Sequence, residues 1–500
     1  MKADVCLIVE GTYPYVTGGV SAWIHQLIAA LPEIRFALFH IGATAGEGPT
    51  PVYELPANVL EFVNVGIHGG DEAPQPSERA SEATWESVRA FHDEMRDNRQ
   101  GGLEALLERL SPQPGRGPSP HDFLYSKPAW DVVRAMYEDR APDVSFLDYF
   151  WTWRFTHLPI FRLLHAALPE ASVYHTVSTG WAGLVAAVAR ARTGRPMLLT
   201  EHGIYARERR MEIDQADWIY VQRQLPMTLN VGPGFFKELW ARLFYRLSRL
   251  TYAHADLIVT IFEGNRQAQI HDGADPARTL VIPNGVVIGR FGVLDHVAAA
   301  PGGFRVGFVG RVVPIKDVKT FIRAVKIVAG SLPGVRATLV GPVDEDEEYA
   351  AECRTLTATL DLEEHVTFVG KADVRAFYRE MDVLVLTSIS EGLPLVILEA
   401  FAAGVAVIST DVGACRELLE GRGGEDRALG PSGLVTGLAN PAATAEAILT
   451  LARDPGLREE MANAGRARVR KFYDESDLVR SYRDLYRRLM AAPAGGAATD

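Results

Sequence analysis

Short apolar segments alternate with helical patterns along two stretches of the chain, and this alternation limits the folds that the chain can adopt. The first stretch has strand patterns at Val5 to Val9, Ser172 to His175, Met197 to Thr200 and Leu257 to Thr260. The second has them at Arg305 to Val309, Ala337 to Val340, Val366 to Val369, Val383 to Leu386 and Val405 to Ser409. Strands that alternate with helices are typical of parallel sheets with helices on both faces. The sequence therefore predicts an α/β protein with two doubly wound, Rossmann-like parallel-sheet domains.

The length of the chain also indicates two domains, because 500 residues exceed one ordinary hydrophobic core. We expect an N-terminal domain at 1–292, with an insertion at about 66–145, and a C-terminal domain at 303–475. Pro- and Gly-rich segments separate predicted helices in the insertion, whose function the sequence does not reveal. A helix at 476–490 is expected to pack back toward the N-terminal domain, followed by a disordered tail at 491–500.

Charge, cysteine content and hydropathy exclude several classes of protein. The net charge of −12 disfavours nonspecific binding to nucleic acid or anionic lipid. Cys6, Cys353 and Cys415 are far apart and lack metal-ligand spacing, which indicates free thiols in a reducing compartment. The N-terminus does not resemble a secretory signal, and the apolar stretch Pro394 to Ser409 is too short to span a bilayer. We expect a soluble cytoplasmic protein.

The segment SEGLPLVILEA at 390–400 places Glu391 and Glu399 on either side of an apolar run. A strand pattern precedes it, and Val396 to Ala403 can form a helix. The start of that helix would direct unpaired backbone N–H groups at an anion. Because Pro394 has no N–H group, the donors would be neighbours such as Leu395 and Val396.

A second segment of the same predicted domain, GRVVPIK, places Arg311 and Lys316 in a loop before a helix. A guanidinium can hold phosphate oxygens in pairs and an ammonium adds a compact charge, so together they suit a nucleoside diphosphate. Glu399 could accept hydrogen bonds from ribose hydroxyls, and Glu391 could hold sugar hydroxyls.

The N-terminal domain offers two further candidate positions. Gly18 and Gly19 lie between a strand and a helix without the dinucleotide fingerprint, so a turn is as good an interpretation as contact with phosphate or sugar. His202 follows the strand Met197 to Thr200, where ligands gather in doubly wound sheets. It could be a structural histidine, but charged residues crowd the expected loop TEHGIYARERR and favour a functional one.

Two segments allow competing interpretations. Phe235 to Thr251 has apolar residues at helical spacing with arginines between them, as in a membrane-surface helix or a packed helix. Packing is favoured because a buried-type strand follows directly.

The acidic run Asp344-Glu345-Asp346 could bind a divalent cation, but a solvated loop at the start of the helix Glu347 to Leu360 is preferred, and no metal site is predicted.

The combination of GRVVPIK, SEGLPLVILEA, an N-terminal GGV and IPNGV at 282–286 resembles the retaining GT-B glycosyltransferases of family GT4. The resemblance spans nearly the whole chain. The segments EGTYPYVTGGVSAWIHQLI and TEHGIYARERR resemble more narrowly the PelF group of cytoplasmic glycosyltransferases, which act in Pel exopolysaccharide synthesis. The resemblance implies the GT-B fold, with two domains facing each other across a cleft.

The resemblance also implies roles for single residues. It assigns catalytic roles to His202, Arg311, Lys316 and Glu391, and donor binding to Gly18, Gly19, Asn284, Gly392, Leu395, Val396 and Glu399. His202 would contact the transferred sugar, Arg311 and Lys316 the diphosphate, Glu391 the sugar and Glu399 the ribose. The chain departs from the family pattern at Lys316-Asp317, where Lys-Gly is common, and at Leu393-Pro394, where Phe-Gly is common.

The implied reaction transfers a hexose or hexosamine from a UDP-sugar to a growing polysaccharide with retention of anomeric configuration. It would need no cofactor and no metal, because positioning and charge stabilisation supply the catalysis. The implied partners are the UDP-sugar, a saccharide acceptor and inner-membrane polysaccharide export proteins that could recruit the chain to the membrane, but not nucleic acid. The alternatives are a non-catalytic nucleotide-sugar-binding subunit of a membrane synthase complex and a nucleotide-sugar epimerase of GT-B fold.

Overall fold

The computed structural model describes residues 2–44, 50–68, 81–97, 101–110, 119–216, 219, 234–291 and 302–492. These residues divide into two compact units. The N-terminal unit comprises Met1–Thr260, Arg266–Leu280 and Tyr482–Asp500, and the C-terminal unit comprises Ile261–Asn265 and Val281–Ser481. The stretch between the two expected domains and the expected tail at 491–500 lie mostly outside the described residues.

The N-terminal unit is built on a seven-stranded sheet with the strand order β3-β2-β1-β4-β5-β6-β7. Its strands are β1 (Ala3–Glu10), β2 (Phe36–Thr44), β3 (Val59–His68), β4 (Ala171–Thr176), β5 (Met197–Glu201), β6 (Leu257–Thr260) and β7 (Thr279–Val281). The pairs from β3 to β6 are parallel. Val5 to Val9 of β1 are fully buried, as expected for a strand covered on both faces.

The helices of the first part of the chain lie between these strands. They are α1 (Gly19–Ala30), α2 (Glu82–Asp97), α3 (Gly102–Leu107), α4 (Pro120–Tyr125), α5 (Lys127–Arg140), α6 (Phe146–Leu164), α7 (Trp181–Thr193), α8 (Tyr205–Gln215), α9 (Phe235–His254) and α10 (Glu263–His271), with a 3₁₀ turn at Pro276–Arg278. In α9, Phe236, Leu243, Phe244 and Leu247 are buried, so this segment is a packed helix, as favoured from its sequence.

Three features of this unit differ from the sequence-based expectation. No strand was predicted between Ala30 and Gly66, yet β2 and β3 lie there; β2 is buried from Phe36 to Ile41 and therefore lacks the alternation that marks a half-exposed strand. The expected loop after His202 becomes helix α8 at Tyr205. The insertion contributes buried side chains, including Trp85, to the main core of this unit and is not an appendage beside the sheet.

The C-terminal unit contains a six-stranded parallel sheet with the order β10-β9-β8-β11-β12-β13. Its strands are β8 (Phe304–Val309), β9 (Val335–Val340), β10 (Val366–Gly370), β11 (Val383–Leu386), β12 (Ala406–Thr410) and β13 (Gly433–Thr436). Its helices are α11 (Ile288–Phe291), α12 (Val318–Ser331), α13 (Glu347–Thr359), α14 (Val374–Tyr378), α15 (Leu395–Ala403), α16 (Cys415–Glu420), α17 (Gly424–Arg427), α18 (Pro441–Arg453), α19 (Pro455–Phe472) and α20 (Glu475–Ala491), with a 3₁₀ turn at Pro314–Lys316. The two doubly wound sheets confirm the predicted fold class.

The segment from Val281 to Phe291 belongs to the C-terminal unit, although the sequence placed it in the N-terminal domain. The backbone explains this assignment. Val286 forms a parallel bridge with Asp474, and its N–H donates to the carbonyl oxygen of Tyr473 at 2.9 Å. A Cβ atom on Gly285 would lie 2.6 Å from the backbone nitrogen of Glu475, so only glycine allows this approach.

The last turns of α20 belong to the N-terminal unit. The hydroxyl of Tyr486 lies 2.8 Å from Nδ1 of His175, and that of Tyr482 lies 2.9 Å from Oγ1 of Thr200. Both tyrosines are buried. Across the described part of the chain, every helix is too short or too polar to cross a membrane.

Candidate functional site

Lys316 and Glu391 form an ion pair in the C-terminal unit. Their loops follow β8 and β11, which are parallel neighbours, so both loops lie at the carboxyl edge of the sheet. Nζ of Lys316 is 2.5 Å from Oε1 of Glu391, and the two side chains are only 17% and 11% exposed. The hydroxyl of Ser388 donates to the same carboxylate oxygen at 2.5 Å. A cation, an anion and a hydroxyl thus meet at the edge where ligands bind in such sheets.

Hydroxyl and backbone hydrogen bonds hold the two loops together. Oγ1 of Thr387 donates to the carbonyl oxygens of Lys316 and Asp317, each at 3.0 Å. The backbone N–H of Ile389 donates to the carbonyl oxygen of Ile315 at 2.9 Å. The position of Lys316 relative to Glu391 is therefore set by the backbone and does not depend on the ion pair alone.

Asp317 explains how the chain replaces the glycine that is common after the lysine. Its backbone is left-handed, with φ 43° and ψ 52°, a region that glycine occupies without strain and that aspartate tolerates better than most residues. Its side chain also caps α12 by accepting from the N–H of Thr320 at 3.2 Å. The departure from the family pattern thus keeps the turn and adds a helix cap.

Gly413 fixes the loop that carries Glu391 and Gly392. The N–H of Ala414 donates to the carbonyl oxygen of Gly392 at 2.8 Å. Gly413 has φ +52°, and a Cβ atom there would lie 2.2 Å from the carbonyl oxygen of Glu391. Neither the space nor the backbone conformation accommodates a side chain at this position.

The start of α15 supplies backbone donors next to Glu391. Pro394 is the N-cap, and its carbonyl oxygen accepts from the N–H of Ile397 at 3.1 Å. Leu395 and Val396 are the first two residues of the helix, whose N–H groups have no acceptor within the helix. Both N–H groups are thus available at the helix start, and their binding of phosphate stays a prediction.

Glu399 lies on the same helix in a half-buried position beside Tyr378. The hydroxyl of Tyr378 donates to Oε2 of Glu399 at 3.1 Å and to the carbonyl oxygen of Val396 at 3.3 Å. Burial raises the pKa of Glu399, while the hydrogen bond from Tyr378 and the charge of Arg290 oppose that rise. The carboxylate is thus oriented by a neighbouring hydroxyl.

Arg311 is paired outside this cluster. Its Nη1 atom lies 2.7 Å from Oε2 of Glu345, and both side chains are about half exposed. Asp346 of the same acidic run caps α13 by accepting from the N–H of Tyr349 at 2.9 Å. Two of the three acidic residues therefore have an ion-pair or capping role.

Asn284 lies in the C-terminal unit, in the segment that pairs with Tyr473 and Glu475. Its Oδ1 atom is buried without a hydrogen-bond partner among the described residues. Buried amide oxygens are usually satisfied, so an unsatisfied one marks a position that a ligand can complete.

The predicted glycines of the N-terminal unit lie at the start of α1, on the carboxyl side of β1. Gly18 is the N-cap in an extended conformation, and Gly19 is the first helical residue. A Cβ atom on either glycine would meet nothing within 4 Å, so the surrounding space is open. Packing does not require glycine at these two positions.

His202 follows β5 and packs edge-on against Trp23, with 4.7 Å between ring centroids. Burial lowers the pKa of His202 to about 4, so its imidazole is neutral at pH 7. Its neighbour His175 is also neutral, because burial lowers the pKa of His175 to about 3.

Two buried glutamates, at the carboxyl ends of β1 and β5, were not predicted as site residues from the sequence. Glu10 accepts from the hydroxyl of Tyr205 at 2.6 Å and from the N–H of Trp181 at 2.8 Å. Glu201 accepts from Tyr252 at 2.8 Å and from Gln269 at 2.9 Å. Burial raises the pKa of both carboxyls. The sequence feature that could have identified them is their position directly after an apolar strand.

Comparison with known proteins places the chain in a family. The model of the "Domain of unknown function (DUF3492)" family matches residues 3–277, more than half of the chain. The chain belongs to the DUF3492 family. The "Glycosyl transferases group 1" model matches residues 303–454 of this DUF3492 protein, which lie in the C-terminal unit.

Curated relatives match the chain over part of its length. A D-inositol 3-phosphate glycosyltransferase of Actinosynnema mirum is 31% identical over 234 residues, which cover 43% of this chain and 54% of the relative. One from Geodermatophilus obscurus is 32% identical over 231 residues, covering 43% and 49%. The chain thus spans about half the length of the curated relatives it matches.

Solved structures share the fold over nearly the whole chain. Sucrose-phosphate synthase from Thermosynechococcus elongatus aligns with a TM-score of 0.57 and 18% identity, covering 98% of this chain and 100% of that one. Anabaena HepE in complex with UDP aligns with a TM-score of 0.56 and 16% identity, covering 97% and 99%. These likenesses establish the GT-B fold.

Proposed function

We propose that the chain is a retaining glycosyltransferase that transfers a hexose or hexosamine from a UDP-sugar to a growing polysaccharide. The observation that carries the proposal is the cluster of Lys316, Glu391 and Ser388 beside the first turn of α15. The match to glycosyl transferases group 1 over the same unit supports it.

The ion pair between Lys316 and Glu391 suits a site that exchanges partners when the donor binds. A diphosphate would draw Lys316 away from Glu391 and would receive the N–H groups of Leu395 and Val396. Glu391 would then accept hydroxyl hydrogen bonds from the sugar, with Ser388 holding its carboxylate in place. As the bond to the diphosphate breaks, Lys316 would stabilise the charge that develops on the leaving group.

Further residues would complete donor binding. Glu399, oriented by Tyr378, would accept hydrogen bonds from the ribose. Arg311 is half exposed and paired with Glu345, so it can turn to a phosphate at little cost, since exposed ion pairs contribute about 0–1 kcal/mol. Gly392 and Asn284 would contribute backbone and side-chain contacts. No metal ion or cofactor enters this proposal.

The N-terminal unit would bind the saccharide and contact the transferred sugar. His202 would act as a neutral imidazole, which can donate from one nitrogen and accept at the other. Gly18 and Gly19 would let backbone approach a ligand in open space. Thr12 and Ser178, whose hydroxyls are buried without partners among the described residues, lie after β1 and β4 at the same sheet edge.

We further propose that the product is a Pel-type exopolysaccharide, on the basis of the N-terminal segments that resemble the PelF group. The chain would then work in the cytoplasm and associate with inner-membrane polysaccharide export proteins. The insertion at about 66–145 would be the first segment to test for that association.

A thermal-shift panel tests the donor assignment, because at a given concentration a ligand that binds more tightly stabilises the folded state more. UDP-sugars should raise the melting temperature more than GDP- or ADP-sugars, and Lys316→Met should remove the shift. Lys319→Met is the matched control, because Lys319 pairs with Glu352 at 2.6 Å on a more exposed surface. A shift that survives in Lys316→Met would reject the site.

Turnover distinguishes the proposal from two alternatives. A glycosyltransferase releases UDP when an acceptor is present. A non-catalytic nucleotide-sugar-binding subunit would show the thermal shift without release, and an epimerase would convert the sugar without freeing the nucleotide.

A further inference from the structure

Helices of the insertion, together with α6 and α9, line a cavity of about 520 Å³ within the N-terminal unit. Its walls come from α2, α5, α6 and α9, and aromatic or apolar side chains such as Phe91, Met136, Tyr149 and Leu239 predominate. The volume lies within the range of about 300–1,000 Å³ that is usual for small-molecule sites. The proposed transfer reaction assigns no role to this cavity.

Two histidines provide polar groups in the apolar wall. Nδ1 of His92 lies 2.7 Å from the carbonyl oxygen of Val88, and Nδ1 of His157 lies 2.8 Å from that of Trp153. Since a carbonyl oxygen only accepts, each Nδ1 carries the proton. Burial lowers the pKa of both histidines, so both rings are neutral and Nε2 of each is a hydrogen-bond acceptor.

Three rings in this wall are nearly parallel. His157 stacks on Trp153 with 4.3 Å between centroids and a 15° angle, and His92 stacks on His157 with 5.2 Å and 16°. Because this stacking covers both faces of His157, the ring offers the cavity its edge and the Nε2 acceptor, which suits a compound that carries N–H donors. A flexible hydrocarbon chain would leave the acceptors unused.

A second cavity, of about 310 Å³, adjoins the first and is rich in arginine. The two cavities share Met95, Arg242 and Arg246 in their walls. Taken together, the described walls hold six arginines (Arg96, Arg140, Arg242, Arg246, Arg249 and Arg278) and two glutamates (Glu94 and Glu238). Four of these arginines pair with a carboxylate, three of them with an aspartate outside the walls: Arg96 with Asp93, Arg140 with Asp139, Arg242 with Glu238 and Arg278 with Asp275. Because partly exposed ion pairs contribute only about 0–1 kcal/mol, these guanidinium groups can turn to an anionic group beside the apolar wall.

We propose that these adjoining cavities form a second binding site, separate from the donor site, for a small heteroaromatic compound that carries a phosphate group. The ring system would occupy the cavity lined by His92 and His157, and the phosphate would lie among the arginines next to Arg246. The sequence predicted a packed helix at α9 but no role for the arginines between its apolar positions. In this arrangement those arginines would bind the phosphate group.

Calorimetric titration of the full chain carrying Lys316→Met tests this site with the proposed donor site disabled and without a competing nucleotide. The probes are AMP, GMP, adenosine, inorganic phosphate and octyl phosphate. AMP or GMP should bind with one-to-one stoichiometry, at least tenfold more tightly than the other three probes. The proposal is overturned if neither nucleotide binds, or if octyl phosphate binds as tightly, since that result would indicate a site for an apolar chain.

Substitutions in the cavity walls test whether the nucleotide binds in these two cavities. Arg246→Met and His157→Phe should each weaken nucleotide binding at least tenfold while leaving UDP binding unchanged. Arg134→Met is the control, because Arg134 is exposed on α5 and lines neither cavity. Should His157→Phe fail to fold, Arg246→Met still decides the matter, as it changes a half-buried side chain. Unchanged binding in Arg246→Met would contradict the proposed site.

Discussion

Lys316 and Glu391 lie 75 positions apart in the chain, yet their side chains meet at 2.5 Å. Each side chain neutralises the charge of the other, and both side chains are largely buried. Such a pair is costly to break unless a new partner replaces the old one. The proposed nucleoside diphosphate sugar would offer that replacement, because its phosphates are anionic and its hydroxyls are donors.

Gly413→Ala should impair transfer without contacting the donor. The added methyl would lie 2.2 Å from the carbonyl oxygen of Glu391 and require a left-handed backbone, so the loop of Glu391 must shift. A displacement of about 1 Å in a catalytic group can cost about 100-fold in rate. We expect a loss of tenfold or more in kcat/KM in a steady-state assay of nucleotide release.

The control for this substitution is Gly437→Ala, whose added methyl would meet nothing within 4 Å. It should retain the activity of the parent chain. Equal activity in Gly413→Ala and Gly437→Ala would show that the loop conformation does not matter.

Asp317→Val should lower the free energy of unfolding by about 2 kcal/mol or more, because it removes a helix cap and forces a β-branched residue into the left-handed region. Asp317→Gly should stay within about 0.5 kcal/mol of the parent, since glycine suits both the backbone and the N-cap. Urea denaturation of the two variants measures the difference. Equal stability of Asp317→Val and Asp317→Gly would contradict the strained backbone at this position.

Part of the site could be predicted from the sequence because it depends on local signals. Val383 to Leu386 forms the predicted strand, and α15 begins at Leu395, one residue before the predicted start. The contribution of Ser388 could not be predicted, since a single hydroxyl carries no pattern. Nor could the ion pair, because it depends on β8 and β11 being neighbours in the sheet.

The same limit applies to the N-terminal unit. The fully buried β2 lacks alternation, so its pattern does not distinguish it from a buried helix. Helix α8 has few apolar residues and was predicted as a charged loop. Its Tyr205 and Arg209 contact Glu10, nearly two hundred residues away, which no local pattern reveals.

Acid should destabilise the N-terminal unit through His175. Burial lowers the pKa of His175 to about 3, from an ordinary value of 6.5, and the ring is enclosed by Trp23, His202 and Tyr482. Between these two values the unfolded chain binds a proton that the folded chain does not, so stability falls as pH falls through that window. At pH 5 the loss from this one group is about 2 kcal/mol.

Denaturation of parent and His175→Gln at pH 7 and pH 5 measures this contribution. The parent's change in stability between these pH values should exceed that of His175→Gln by about 2 kcal/mol. The comparison cancels the opposite effect of Glu201, whose raised pKa favours the folded state as pH falls. His271→Gln, at an exposed position, should behave like the parent. An equal change in His175→Gln and the parent would be inconsistent with a buried neutral imidazole.

The most direct test of the central claim is the rate of UDP release from a panel of UDP-hexoses and UDP-hexosamines with saccharide acceptors, in Glu391→Gln and Glu352→Gln. Both glutamates pair with a lysine of the same unit, but only Glu391 lies at the proposed donor site. We expect acceptor-dependent release in the parent and in Glu352→Gln, a product of retained anomeric configuration by NMR, and a loss of at least 100-fold in Glu391→Gln. Parent-like release in Glu391→Gln, or a product of inverted configuration, would contradict this claim.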